Sequence, residues 1–456
     1  MKSTTIKEIL EQLRINDTVK LQGWIRNHRK QNVIGFIDFF DGSAFESMQI
    51  VYDKDIKDFE KVSSYHIGAS IAVTGVVVQG KNTLEIKAET VELLGDCPED
   101  YPLQPKKHTL EFLREIAYLR PRTRLFQAVF KVRSQASFAI HEFFNKNNYI
   151  YVHTPIITAN DGEGAGNAFT VTTLEPKDSA DFAKGNHIKD FFGKKTSLAV
   201  TGQLEGETFA LAFSKIYTFG PTFRAENSNT KTHAAEFWMI EPEIAFCDIH
   251  GLMDIEEDFL KYVMNFILKN CKSELEFLSK YNEFDVIARL RAVASVKIAR
   301  VTHEDAINIL IKSKEKFQFK AEHGKDLARE HEKYLTDVHF GSPVFVYNWP
   351  KEIKAFYMYQ NDDKKTVAAV DLLVPGAGEL MGGSQRETRY DVLTKRMNEM
   401  HVPVDDLSWY INLRKFGGCT HAGFGMGFER LIMFLTGMEN IRDVIPYART
   451  PKNCDY

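Results

Sequence analysis

The chain is organised around the stretch Tyr217-Thr-Phe-Gly-Pro-Thr-Phe-Arg-Ala-Glu-Asn-Ser-Asn-Thr-Lys-Thr-His-Ala-Ala-Glu-Phe-Trp-Met-Ile-Glu-Pro-Glu243. Apolar and polar residues alternate at both of its ends, which is typical of β-strands. The middle part, from Asn227 to Thr232, contains turn-forming residues and no apolar residue, which predicts a loop. The stretch therefore predicts a long antiparallel β-hairpin.

Charged side chains are predicted to share a face of this hairpin, because residues two apart in a strand project to the same side. Arg224 and Glu226 would project together from the first strand. Burying such groups without a ligand is costly. The alternative is a solvated strand whose surface ion pairs stabilise the fold very little. The residues that would share a face of the second strand are Phe237, Met239, Glu241 and Glu243.

Length and composition indicate a soluble globular protein of two or three domains. The chain has 456 residues, of which 44% are hydrophobic and 26% are charged. No apolar run approaches the ~18 residues that span a membrane, and the first residues lack an apolar signal core. The five cysteines are scattered, so neither a zinc site nor a disulfide framework is indicated. We expect a cytoplasmic protein with no membrane partner.

The net charge of −4 argues against nonspecific coating of nucleic acid. Affinity for phosphates depends on local clustering, however, and two basic clusters occur, at residues 26–30 and 114–124. A local nucleic-acid site therefore remains compatible with the acidic total.

Residues 1–105 are predicted to form an OB-fold barrel after a short opening helix. Such barrels bind single-stranded nucleic acid on exposed aromatic rings beside basic residues. Phe36, near Arg26 and Arg29 across a predicted hairpin, is the candidate ring; the alternative is that Phe36 belongs to the barrel core. The five predicted strands cover residues 19–26, 35–41, 48–52, 70–78 and 83–88.

The remainder of the chain alternates helices and strands. A linker is predicted over residues 106–124, and a second domain over 125–456. Asp248 is a predicted helix cap, and Gly437 is predicted to end the last helix. Histidines near residues 322–332 are assigned to a solvated helix face rather than to a metal site, because no two of them lie one helical turn apart. The predicted helices and strands include 125–148, 248–270, 343–348, 355–359 and 366–374, and the charged segment 271–335 is predicted to be helical.

Two glycine-rich segments do not match common nucleotide-binding motifs. Asn160-Asp-Gly-Glu-Gly-Ala-Gly-Asn167 lacks the Gly-Lys-Ser/Thr of a P-loop. Gly423-Phe-Gly-Met-Gly-Phe-Glu-Arg430 lies in an antiparallel pattern without a βαβ unit, which excludes a Rossmann assignment.

The sequence resembles the class II aminoacyl-tRNA synthetases in three ordered segments. Phe223-Arg224-x-Glu226, followed by a polar loop and Glu236-Phe237, resembles motif 2. The helix and strand that end at Pro155 resemble motif 1, and the segment 423–430 resembles motif 3. An OB-fold ahead of these motifs is shared by the aspartyl, asparaginyl and lysyl branch, and the resemblance is closest to the bacterial asparaginyl-tRNA synthetases.

This resemblance implies an α+β fold with an N-terminal OB-fold anticodon-binding domain and a catalytic domain whose antiparallel sheet is flanked by helices. It also implies a homodimer through motif 1. The implied reaction activates L-asparagine with ATP, uses Mg²⁺, and transfers the amino acid to the 3′-hydroxyl of the terminal adenosine of tRNA(Asn). The alternatives are an aspartyl-tRNA synthetase and an inert OB-fold RNA-binding paralogue.

The resemblance also implies roles for individual residues. Arg224 and Arg430 would be the catalytic residues, with Arg224 on the α-phosphate and the amino-acid carboxylate, and Arg430 on the γ-phosphate. Asp371 and Glu379 would bind Mg²⁺, since hard oxygen donors suit this ion. The implied ATP-binding residues are Arg224, Glu226, His233, Phe237, Glu379 and Arg430.

Amino-acid recognition is implied at a second group of residues. The segment Gln203-Leu-Glu-Gly206 has glycine where aspartate enzymes have a lysine, and Glu205 and Glu207 beside it are acidic. A substrate carboxylate that faces other carboxylates is disfavoured, so the segment favours asparagine. Arg386 would donate to the side-chain carbonyl of asparagine, and Glu226 would accept from its NH₂. The implied amino-acid-binding residues are Glu163, Gln203, Glu226 and Arg386, and the implied anticodon-binding residues are Arg26, Phe36, Gln49 and Glu85.

Overall fold

The computed structural model describes residues 3–81, 83–160, 168–174, 187–228 and 230–456. The chain divides into two compact units, Met1–Ala128 and Val129–Tyr456. The predicted amino-acid-binding residue Glu163 lies outside the described residues, as does most of the polar segment 174–195, for which the sequence predicts no role.

The first unit contains a closed five-stranded barrel with the strand order β1-β2-β3-β5-β4. Apolar side chains that alternate along each strand fill its interior, among them Leu21, Ile37, Ile50, Val73 and Ile86. The opening helix α1 begins with a capping box between Thr5 and Glu8. The predicted OB-fold is confirmed. The strands are β1 Thr18–Lys30, β2 Ile34–Phe40, β3 Met48–Asp53, β4 Ser70–Gln79 and β5 Leu84–Gly95.

The second unit is built on an eight-stranded sheet with the order β12-β13-β14-β15-β16-β11-β10-β6. Its inner strands are antiparallel, as predicted, whereas β6 and β12 at the two edges pair in parallel with β10 and β13. These strands are β6 Ile150–Tyr151, β10 Lys215–Phe223, β11 Glu236–Ala245, β12 Ala299–Thr302, β13 Val344–Pro350, β14 Thr366–Val374, β15 Gly378–Gln385 and β16 His421–Gly427. A small sheet contains β7 Ile157–Thr158, β8 Thr170–Val171 and β9 Thr196–Leu198.

Local capping explains where several helices begin and end. The Asp248 side chain accepts from the backbone N–H of His250 and Gly251 and starts the helix that ends at Asn270, as predicted. Gly437 adopts the left-handed conformation that ends the last helix, also as predicted. The helices are α1 Ile6–Gln12, α2 Phe59–Ser63, α3 Leu110–Glu115, α4 Arg124–Lys146, α5 Gln203–Phe213, α6 Ile249–Asn270, α7 Lys272–Tyr281, α8 Val286–Ser295, α9 His303–Lys312, α10 Arg329–Lys333, α11 Tyr390–Glu399, α12 Ser408–Asn412 and α13 Phe428–Thr436.

Three local predictions are wrong. Residues 355–359 form a turn with an isolated bridge between Met358 and Arg386, not a strand. The segment 271–335, predicted to be helical, includes the strand β12. His331 is buried rather than on a solvated face, because its ring accepts from the Ala328 N–H and donates to the Phe319 carbonyl oxygen.

Among the described residues, no helix is both long enough and apolar enough to cross a bilayer. The cysteines are all free thiols: Cys97, Cys247 and Cys271 are buried, Cys419 is half-buried and Cys454 is exposed.

Candidate active site

A cavity of about 300 Å³ opens over the central strands of the large sheet. Its walls come from the hairpin β10–β11, from β14 to β16, and from the start of helices α5 and α13. Every predicted ATP-, amino-acid- and metal-binding residue that the structure describes lines it. They are Gln203, Arg224, Glu226, His233, Phe237, Asp371, Glu379, Arg386 and Arg430.

The alternation of β11 places its functional side chains in this cavity. Met239 pairs with Gly220 on β10 and with Gly427 on β16, so the strand lies in the middle of the sheet. Four residues with the predicted period of two face the cavity, namely Phe237, Met239, Glu241 and Glu243. Glu241 is held by hydrogen bonds from Thr201, Gly202 and Thr218, which gives it a structural role.

The mouth of the cavity carries the predicted nucleotide-binding groups. Arg224 follows β10, and its backbone N–H donates to the Ala235 carbonyl oxygen at 2.9 Å. Its guanidinium carbon lies 5.5 Å from the centre of the Phe237 ring. The half-exposed Arg430 lies 3.9 Å from the Glu379 carboxylate. Two cations and an aromatic ring therefore line the mouth of the cavity, and such groups suit a nucleoside with phosphates.

Two further predicted residues lie in the loop of motif 2. Glu226 is exposed and lines the cavity. His233 is half-buried there, with its Nδ1 hydrogen-bonded to the Thr230 hydroxyl.

Asp371 and Glu379 form a pair of carboxylates that suits a hard cation. A methyl group on Gly382, opposite Asp371 in the sheet, would lie 3.1 Å from Glu379 Oε1 and 3.4 Å from Asp371 Oδ1. One carboxylate oxygen of Glu379 and one of Asp371 therefore face the same point above Gly382. Lys354 donates to the other oxygen of Asp371 at 2.8 Å. Two carboxylates beside Arg430, the predicted γ-phosphate ligand, match the way proteins bind Mg²⁺. The described ranges contain no group of three or more His, Cys, Asp or Glu residues placed to hold a metal.

Burial is the main electrostatic influence on Asp371. It raises the pKa of Asp371 to about 7, against the opposing effect of Lys354. Glu332, which accepts the backbone N–H of Glu379 at 3.2 Å, also has a pKa raised to about 7, first by burial and then by the Glu379 charge. Glu332 and Lys354 were not predicted, because they lie in segments with no recognisable pattern.

The buried floor of the cavity contains a cluster of charges around Arg386. This guanidinium donates through Nε and Nη2 to the two oxygens of Glu243, with a distance of 3.1 Å from Nε, and through Nη1 to Ser384 at 2.8 Å. Glu207 lies on the other side, 3.9 Å from Arg386 Nε. The floor cluster, as we call it, consists of Gln203, Glu207, Glu243, Arg386, Tyr410, Arg414 and His421.

Within the floor cluster, the sequence predicted a binding role for Gln203 and Arg386, and it indicated Glu207 only as an acidic residue unfavourable to a substrate carboxylate. The sequence did contain a signal that Glu207 lies beside Gln203. Residues four apart share a face of a helix, and Glu207 follows Gln203 by four positions. The segment was not predicted to be a helix, so this relation was missed.

The barrel brings three of the four predicted anticodon residues together. Arg29 is opposite Phe36 in the β1–β2 register, and its guanidinium carbon lies 5.6 Å from the centre of that ring. Gln49 accepts from Arg29 at 3.2 Å and donates to Glu85 at 2.8 Å. Phe36 is half-buried and lies outside the barrel core, contrary to the core alternative.

Arg26 has different partners. It lies over the Phe40 ring at 4.2 Å and donates to Ser47 and Gln127. Burial lowers its pKa to about 10. Arg29, rather than Arg26, is the cation beside Phe36.

Known families match both units. A model described as tRNA synthetases class II (D, K and N) matches residues 109–451, and one described as an OB-fold nucleic acid binding domain matches residues 19–94. An asparagine–tRNA ligase of Acholeplasma laidlawii is 58% identical over 442 residues, covering 95% of each chain. One from Alkaliphilus metalliredigens is 51% identical over the full length of both chains.

Solved structures agree with these matches. The asparaginyl-tRNA synthetase of Pyrococcus horikoshii, in complex with asparaginyl-adenylate, has a TM-score of 0.88 at 29% identity and covers all of both chains. An asparaginyl-tRNA synthetase of Entamoeba histolytica, also with asparaginyl-adenylate, has a TM-score of 0.83 at 25% identity over 98% of each chain. The family match over residues 109–451 and the identity to these relatives agree with the motifs and the cavity. The chain belongs to the class II tRNA synthetases of the D, K and N group.

Proposed function

We propose that the protein is an enzyme that joins L-asparagine to tRNA(Asn) in two steps, as an asparagine–tRNA ligase. The observation that carries the proposal is that one cavity has two arginines at its mouth and a buried arginine–glutamate pair at its floor. The 58% and 51% identity to bacterial asparagine–tRNA ligases supports the same activity.

In the first step, a carboxylate oxygen of asparagine attacks the α-phosphorus of ATP. The bond to the bridging oxygen breaks, and asparaginyl-adenylate and pyrophosphate are formed. Both reactants are negatively charged, so fixed cations supply orientation and charge stabilisation. Arg224 bridges the amino-acid carboxylate and the α-phosphate. Arg430 binds the γ-phosphate, and the adenine lies between its guanidinium and the Phe237 ring.

Mg²⁺ fits beside Asp371 and Glu379, where it would neutralise phosphate charge and fix the geometry of ATP. Glu379 also lies beside Arg430, so the carboxylate pair and this cation act on the same phosphates. Glu226 and His233 border the nucleotide at the mouth of the cavity. Glu163 is proposed as an ammonium ligand on the resemblance alone.

The floor cluster recognises the side chain of asparagine. Among the described residues, the bonds to Glu243 and Ser384 leave Arg386 one N–H on each terminal nitrogen for a ligand. These donors suit the side-chain carbonyl oxygen of asparagine. Glu226 is exposed at the mouth of the cavity, so its role as acceptor for the NH₂ of asparagine is proposed on the resemblance alone. Gly206 adds no cation to this floor, so a substrate carboxylate would gain no ammonium partner there.

In the second step, the 3′-hydroxyl of the terminal adenosine of the tRNA attacks the carbonyl carbon of the adenylate, and AMP leaves. The anticodon is read on the barrel, where Phe36 offers a stacking surface and Arg29, Gln49 and Glu85 offer polar groups. Arg26 contributes to the shape of this surface through Phe40.

We further propose domain bounds of 1–105 and 125–456 with a linker between them, a cytoplasmic location, and a homodimer. Support for the dimer comes from apolar side chains exposed near motif 1, namely Ile150, Tyr151, Ile156 and Trp238. Light scattering of the purified protein measures its mass directly.

The test of the function is ATP–pyrophosphate exchange measured side by side with asparagine and aspartate. We expect exchange that depends on asparagine, with kcat/KM for aspartate lower by at least about a hundredfold. Exchange supported equally by aspartate, or by neither amino acid, would refute the proposal.

A further inference from the structure

Glu207 is a fully buried carboxylate with hydrogen-bond partners from three parts of the second unit. Its side chain is 0% exposed. Oε1 accepts from Tyr410 Oη at 2.8 Å and from Gln203 Nε2 at 3.1 Å. Oε2 accepts from Arg414 Nη2 at 2.9 Å and is 3.0 Å from His421 Nε2. Glu207 itself does not line the cavity, so any effect on a substrate passes through its neighbours.

The first such neighbour is Gln203, which lines the cavity and is 7% exposed. A carboxylate can only accept hydrogen bonds, so Gln203 must turn its NH₂ toward Glu207. Its carbonyl oxygen is then the group left to accept from a ligand. A positively charged ammonium group requires an acceptor of this kind. The charge of Glu207 therefore selects which end of the Gln203 amide meets the amino acid.

The second neighbour is Arg386. Glu243 occupies its Nε and Nη2, and Glu207 lies 3.9 Å from the same Nε. The one guanidinium that faces the substrate side chain thus has two buried carboxylates beside it. In a poorly solvated site, charges at this range influence one another strongly. The positive potential that a substrate carboxylate would experience is consequently reduced.

We propose that Glu207 is a positioning residue that sets the preference of this cavity for a neutral amide over a carboxylate side chain. It orients Gln203 and offsets the charge of Arg386, without touching the substrate itself. The inference rests on the proposed function, and it adds a determinant beyond the side chains that contact the amino acid.

The Glu207→Gln variant tests this role, because it keeps the size of the side chain and removes its charge. Gln203 can then present either end of its amide, so the KM for asparagine should rise about tenfold while the KM for ATP stays within about twofold. The ratio of kcat/KM for aspartate to that for asparagine should rise about tenfold, since the floor gains one unit of positive charge.

Glu257→Gln is the matched control. Glu257 is also buried, at 3% exposed, and pairs with Lys261 and Lys297 at 2.7 and 3.1 Å, but it does not line the cavity. We expect it to leave both the KM for asparagine and the aspartate ratio unchanged. A Glu207→Gln enzyme with unchanged asparagine KM and unchanged ratio would overturn the inference, as would equal changes in the control.

Tyr410→Phe provides a second variant in case Glu207→Gln does not fold. It keeps the negative charge but removes the donor that shares Glu207 Oε1 with Gln203. The carboxylate can then turn toward Arg414 and His421 and hold the Gln203 amide less firmly, so the KM for asparagine should rise several-fold with no change in the aspartate ratio. An unchanged asparagine KM, or a raised aspartate ratio, would contradict the role assigned to Glu207. Wild-type enzyme without asparagine-dependent exchange would instead refute the proposed function.

Discussion

Arg224 is the residue whose replacement tests the chemistry most directly, because its guanidinium lies at the mouth of the cavity beside Phe237. We expect Arg224→Ala to lower kcat/KM in asparagine-dependent exchange by about a thousandfold or more. Arg224→Lys keeps a charge but loses the planar fork that two acceptors require, so it should recover only part of the loss. Near-normal exchange by the alanine variant, with a normal circular dichroism spectrum, would rule out this role.

The pH dependence of stability can be tested at His303. This ring is buried beside Trp349 and hydrogen-bonded to the Lys325 carbonyl oxygen, and burial lowers its pKa. The native state therefore binds fewer protons than the unfolded state, so the contribution is fully present above a pH of about 6.5 and is lost as the pH falls below it.

His303→Asn should accordingly make the fall in unfolding free energy between pH 7.5 and 5.5 shallower, by up to about 1.4 kcal/mol per pH unit. Urea titrations monitored by tryptophan fluorescence at several pH values measure this slope. A slope identical to that of the wild-type protein would exclude His303 as a contributor.

Residues could be predicted from the sequence where they lie in a recognisable motif or a strand with a regular period. Arg224, Phe237 and Arg430 all line the cavity. Tyr410 and Arg414 were not predicted, because long-range packing alone brings them to Glu207. Pairings that span about two hundred positions leave no local trace in the sequence.

At the scale of elements, the register between β11 and β16 makes Gly423 a sensitive position. Gly423 is opposite Glu243, and a methyl group there would lie 2.3 Å from a Glu243 oxygen. We expect Gly423→Ala to displace Glu243 from Arg386, to lower the free energy of unfolding by about 3 kcal/mol, and to abolish exchange with asparagine.

Gly206→Ala is the comparison for this prediction. Gly206 also lies near Glu243, but a methyl group would have its nearest contact at 3.4 Å, with Ile216. Within helix α5, alanine is favoured over glycine, so the stability should stay the same or increase by up to about 1 kcal/mol. Equal thermal stability of the Gly423→Ala and Gly206→Ala variants would show that crowding beside Glu243 does not lower the free energy of unfolding.

Elements were predictable where a cap or a strict period marks them. Asp248 and Gly437 identified the start of α6 and the end of α13 through backbone chemistry alone. The segment 355–359 is apolar or aromatic at every position, which is typical of a buried strand. It forms a turn instead, since Phe356 and Tyr357 pack into a cluster with Tyr410 rather than into a sheet. Helix α5 was not predicted, because its own apolar and small residues are distributed around most of its circumference and form no single apolar face.

For the molecule as a whole, the two units allow recognition and chemistry to be separated by mutation. We expect Phe36→Ala to raise the KM for tRNA in aminoacylation about tenfold, through the loss of one stacking contact, and to leave pyrophosphate exchange unchanged. Leu94→Ala, at another exposed position of the barrel, serves as the control and should leave both assays unchanged. An unaltered KM for tRNA in the Phe36 variant would remove that ring from the recognition surface.

The placement of Pro451 in the cavity wall and of the exposed thiol of Cys454 three residues later has a practical consequence. Three residues reach at most about 11 Å, so a fluorophore attached to Cys454 lies close to the catalytic pocket. Three of the other thiols compete little, because burial raises the pKa of Cys247 and of Cys271 to about 12 and Cys97 is buried as well. The half-buried Cys419 would be replaced by serine before labelling. Maleimide labelling followed by nucleotide titration would turn this position into an optical reporter of occupancy.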